Sequence, residues 1–88
     1  MTEIEAMGCF NRAVEQRMEM EFGFCGHDYH LEFVSREKGS VYVEECMDGE
    51  ELNVLVGEYE SIEDLMVNCI LSGVPFKEAV VKLDYFFA

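Results

Sequence analysis

From Met18 the chain alternates with period two: Met18, Met20, Phe22 and Phe24 are interleaved with Glu19, Glu21 and Gly23. Successive side chains of a strand point to opposite faces, so this run specifies a strand with one buried and one solvated face. The segment CGHD supplies a turn, after which Tyr29, Leu31 and Phe33 resume the pattern. Pairing Phe24 with Tyr29 sets Phe22 against Leu31 and Met20 against Phe33, apolar facing apolar throughout. SREKGS reads as the next turn. Beyond it, VYVEECMDGEELNVLV carries Asp48-Gly49, a strong two-residue hairpin signal, because both turn positions need positive φ. That register pairs Met47 with Glu50, Glu45 with Leu52, Val43 with Val54 and Val41 with Val56, leaving Glu45 and Glu50 in solvent near the tip. The prediction is a four-stranded antiparallel meander.

Helical signals flank the meander. Thr2 followed by Glu5 fits a capping box, and Ile4, Met7, Phe10 and Val14 recur at helical spacing, predicting a helix over 3–16. Ser61 with Asp64 caps a second helix, whose apolar face is Ile62, Leu65, Met66, Cys69 and Ile70. Gly73 ends it and Pro75 bars its continuation. Phe76, Ala79, Val80 and Leu83 predict a short third helix, and the aromatic tail DYFFA is expected to pack. The expected fold is a single α+β domain over 1–88: an N-terminal helix, a four-stranded antiparallel meander, and two C-terminal helices packed on one sheet face. Half of the 88 residues are hydrophobic, enough for a core.

Charge narrows the function. Nineteen acids face six bases, a net charge of −13, and no Lys or Arg occurs between Gly39 and Phe76. Such a field repels nucleic acid and anionic membranes and attracts basic protein surfaces. MTEIEAMG lacks the basic start of a secretory signal, and no apolar run is long enough to span a bilayer, so a soluble, cytoplasmic protein is expected. Cys9, Cys25, Cys46 and Cys69 stand singly and are expected to be reduced thiols.

No site chemistry emerges. Read as a calcium loop from Glu44, the acidic hairpin puts Leu55 where the bidentate glutamate belongs. Cys25, His27, Asp28 and His30 are ligand types, but their spacing matches no closed metal site, and turn chemistry explains Gly26 and Asp28. His30 is expected on the face opposite Tyr29. A Cys25–His27 nucleophile pair lacks a third orienting group, and no phosphate loop or Ser-His-Asp order stands out. The expectation is a non-enzymatic protein without metal or cofactor.

The outer sheet face is more informative. The predicted register gathers Glu19, Glu21, Glu32, Glu44 and Glu51 there, with Glu21 directly opposite Glu32. Tyr42 and Leu55 lie among them as apolar anchors, and Glu58, Glu60, Glu63 and Asp64 extend the charge toward the next helix. These residues would meet a basic nucleic-acid-binding protein.

This combination of a helix, an acidic antiparallel sheet of hairpins and a short helical pair resembles small anti-CRISPR proteins of phages and mobile elements. The resemblance is one of architecture and charge, without a residue motif. It implies an inhibitor that presents carboxylates to a CRISPR nuclease where duplex DNA would bind. The runs MEMEFGFCGHDY, EYESIEDL and GVPFKEAV resemble segments of uncharacterised small proteins of Firmicutes and prophages, which imply no activity. The competing expectation is an adaptor, immunity or antitoxin-like protein that binds through its aromatic C-terminus or first helix.

Overall fold

The protein is described here by a computed structural model covering residues 2–47 and 53–88. Helix α1 spans Glu3–Glu15, opened by the Thr2 hydroxyl, which accepts from the Glu5 amide at 3.1 Å. It closes in a Schellman motif: Arg17 takes φ 54°, its amide reaches the Val14 carbonyl, and the Met18 amide reaches the Ala13 carbonyl at 2.9 Å. The buried stripe of α1 is Ala6, Phe10 and Ala13, flanked by Met7 and Val14. Ile4, expected on that stripe, is instead 86 % exposed, while Ala6 two residues on is buried.

The strands are β1 (Met20–Phe24), β2 (His27–Ser35), β3 (Ser40–Cys46) and β4 (Val54–Tyr59), joined as an antiparallel meander. Their inner face buries Met20, Phe22, Phe24, Tyr29, Leu31, Phe33, Val41 and Val43, the residues chosen by alternation. The pairing between β1 and β2 is shifted by two from the expected one. Met20 faces Leu31, Phe22 faces Tyr29 and Phe24 faces His27. The cause is the turn: Cys25 and Gly26 take φ of 50° and 79°, a two-residue reversal where the sequence suggested four. A slip of two keeps every side chain on its face but changes its partner. Glu21 therefore opposes His30, not Glu32.

The predicted β3–β4 register is also overturned. Val41 pairs with Tyr59, Val43 with Gly57 and Glu45 with Val54, with a bulge between Val43 and Glu44. These pairs displace the expected Val41–Val56, Val43–Val54 and Glu45–Leu52 partners. The Asp48-Gly49 turn itself and the Met47–Glu50 pair lie outside the described residues. Burial explains the shift: Tyr59 packs against the core beside Val41, and the bulge turns Val56 inward, while Val54 and Leu55 stay exposed.

Helix α2 (Ile62–Asn68) is capped by Ser61, whose hydroxyl accepts from the Asp64 amide at 3.1 Å. It stops short of Gly73, because Ser72 and Gly73 (φ 50° and 78°) close a small hairpin of β5 (Ile70–Leu71) and β6 (Val74–Pro75). Helix α3 (Phe76–Ala79) runs into a 3-10 turn over Val80–Lys82. The predicted short helix is thus broken in two.

The tail does more than pack. Tyr85–Phe87 forms β7 on the free edge of β1, making a five-stranded sheet of order β4-β3-β2-β1-β7 rather than a four-stranded one. The fold is α+β, with the core between the helices and the inner face. Phe76 sits at its centre, with ring centroids 5.4 Å from Phe10 and 5.7 Å from Phe22. Among the described residues no helix is long and apolar enough to cross a membrane.

Candidate partner-binding face

Cross-strand neighbours order the outer face into rows. One row runs Phe87, Glu21, His30, Glu44, Leu55; beside it lie Tyr85, Gly23, Asp28, Cys46 on one side and Glu32, Tyr42, Glu58 on the other. With strands about 4.8 Å apart, the longest row spans about 19 Å. The face gathers Glu19, Glu21, Glu32, Glu44, Tyr42 and Leu55 as the sequence suggested; Glu51 lies outside the described residues. No Lys or Arg occurs in these rows. Arg17 and Arg36 border one end, lining a shallow recess with Glu19, Glu32 and Phe33, while Arg36 donates to the Gln16 carbonyl at 3.3 Å.

Paired hydrogen bonds hold the acids apart. His30, 14 % exposed at its side chain, meets Glu44 Oε1 through Nδ1 at 3.0 Å, and Glu19 Oε1 lies 3.0 Å from its Nε2. Asn53 donates to the same Glu44 oxygen at 2.9 Å. Tyr42 donates to Glu32 Oε2 at 2.5 Å, and Tyr85 donates to Asp28. Carboxylates that would repel across strands are thereby separated by a donor.

The titration behaviour follows from these contacts. Burial opposes charging of His30, yet its hydrogen bond to Glu44 and the close approach of the Glu19 carboxylate outweigh that and raise its pKa. Asn53 and then His30 lower the pKa of Glu44. Donation to Glu32 pushes the Tyr42 hydroxyl up to about 12. Burial, with Glu44, Glu21, Asp28 and Glu45 nearby, raises the Cys46 thiol, which disfavours the nucleophilic thiolate.

The Cys25, His27, His30 group does not converge. His27 turns toward Glu45, with Nδ1 2.9 Å from Oε2, while His30 engages Glu44 on the other face. All four cysteines are free thiols. Two features escaped the sequence reading: the central position of His30 between Glu21 and Glu44, and the Tyr85–Asp28 bond. The first was within reach, since a two-residue Cys25-Gly26 turn puts His30 opposite Glu21. No family model, no curated protein and no solved structure matches this chain.

Proposed function

We propose that the protein is a non-enzymatic inhibitor that binds a basic, nucleic-acid-binding protein through the outer face of its sheet. The observation that carries this reading is the set of acids Glu21, Asp28, Glu32, Glu44 and Glu58 on one face, in rows free of Lys and Arg, with Glu19 beside them. A groove that binds phosphates by Lys and Arg offers complementary charge, and steering by such fields accelerates association and weakens with salt. Donor-held carboxylates such as Glu32 and Glu44 present fixed positions at less ordering cost than free side chains. Leu55, 57 % exposed at the end of the central row, offers an apolar anchor beside the charge. The likeness to anti-CRISPR proteins makes a phage-defence nuclease the first partner class to test.

The experiment is capture from host lysate at low and high salt with three baits: the wild type, a double reversal at exposed Glu21 and Glu58 to Lys, and an off-face reversal at Glu3 and Glu78 to Lys. A nucleic-acid-binding protein held at low salt by the wild type and the off-face bait, and lost by the Glu21/Glu58 bait, supports the reading. Equal capture by all three removes it.

The adaptor reading has a narrower surface to use. Tyr85 and Phe86 are half-buried in β7, leaving Phe87 as the exposed aromatic of the tail. Truncation before Tyr85 would remove a sheet strand, so Phe87→Ala is the substitution that tests it.

A further inference from the structure

We propose that Glu19, His30 and Glu32 form a binding site for a divalent transition-metal ion, zinc by preference, with one coordination position left open. The site lies on the outer face, but the inference does not depend on what that face docks against.

His30 is the central donor of the cluster. Its Nδ1 is committed to Glu44 Oε1 at 3.0 Å, and Glu44 is itself steadied by Asn53. A carboxylate accepts at Nδ1, so the hydrogen of a neutral ring resides there and the lone pair is on Nε2. Nε2 is occluded from solvent and has no hydrogen-bond partner. Glu19 Oε1 lies 3.0 Å from Nε2 as a charge contact without a hydrogen bond. A carboxylate oxygen of Glu19, one of Glu32 and His30 Nε2 all lie within 4.8 Å of one another. Three electron-rich atoms are therefore gathered within reach of one ion, with Arg17 and Arg36 at the rim of the same recess, and a positive charge between the three is favoured. A proton on Nε2 supplies it only along a single bond direction. A metal ion at the centroid serves all three donors together.

Size and donor type select the ion. Zinc–nitrogen and zinc–oxygen bonds of about 2.1 Å place tetrahedral donors about 3.4 Å apart, so this set closes with side-chain adjustments of at most about 1.5 Å. One imidazole with two carboxylates suits zinc better than calcium or magnesium, which take oxygen ligands. The supporting contacts are those a metal-binding histidine uses: its second nitrogen donates to a carboxylate, here Glu44, and Tyr42 orients Glu32 through one oxygen. Three protein donors leave the fourth position for water or for a ligand from a partner.

The test uses the full chain purified without a histidine tag, reduced and stripped with chelator. Zinc chloride titrated at pH 7 by calorimetry should bind with one-to-one stoichiometry. Cobalt(II) should give d–d absorption without a thiolate charge-transfer band. His30→Gln and Glu32→Gln should each weaken binding at least tenfold, while His27→Gln and Cys46→Ser leave it unchanged. Far-ultraviolet circular dichroism checks each fold, and Glu19→Gln, at an exposed position, supplies the same readout should His30→Gln unfold. Absence of stoichiometric binding overturns the proposal. So does binding that survives His30→Gln and Glu19→Gln, or that is lost with Cys46→Ser or His27→Gln.

Discussion

Glu21 stands opposite His30 across the β1–β2 pair, and His30 in turn stands opposite Glu44 across β2–β3. The histidine thus lies between two carboxylates in the longest row of an acidic sheet face, with Glu19 against its second nitrogen. Replacing it by alanine leaves Glu19 and Glu44 facing one another without a donor between them. With chelator present, His30→Ala should lower unfolding free energy by about 1.5–3 kcal/mol, the scale of a hydrogen bond to a charged group. Urea unfolding at pH 6 checks this; an unchanged midpoint would show that the contacts contribute nothing to stability.

Gly23 is required by an aromatic ring rather than by its backbone. A Cβ there would lie 2.3 Å from Tyr85 Cε1, because the ring crosses Gly23 on its way from β7 to Asp28 on β2. Gly23→Ala should cost about 1–3 kcal/mol through overpacking and displace the tail from the edge of β1. Hydrogen exchange at the β7 amides reports the displacement; protection equal to wild type would contradict it.

Tyr85 also sets an alkaline limit. Its donation to Asp28, with burial and the nearby Cys46 and Glu21, pushes its pKa from 10.0 up to about 12. A raised folded-state pKa means that this contribution is fully present below the unfolded value and is lost as pH rises from about 10 to about 12. Tyr85→Phe should therefore show a shallower fall in stability over that window than the wild type. Matching pH profiles for the two proteins would contradict the assignment.

Face was legible in the sequence where partner was not. Alternation fixed which residues of β1, β2 and β3 face the core, and it placed Glu19, Glu21, Glu32, Glu44 and Tyr42 together, because face depends only on parity. Partners depend on turn length, and CGHD reads as a four-residue turn: Cys25, a residue that rarely takes positive φ, does so here and closes the reversal in two. The β3–β4 pairing failed for a different reason. The strong local signal of Asp48-Gly49 competed with burial of Tyr59 and Val56, which a bulge accommodates and sequence alternation does not reveal. Strand β7 is only three residues long. Its pairing rests on long-range contacts, the Asp84 amide to the Gly23 carbonyl at 2.7 Å and the Gly26 amide to the Asp84 carboxylate at 3.2 Å, that no local pattern announces.

The reading of the outer face as a docking surface is tested most directly by the salt-dependent capture with matched charge reversals. The account predicts a nucleic-acid-binding protein retained at low salt, released at high salt, lost when Glu21 and Glu58 become Lys, and kept when Glu3 and Glu78 become Lys. A partner retained equally by both reversed baits, or one held undiminished at high salt, would contradict it.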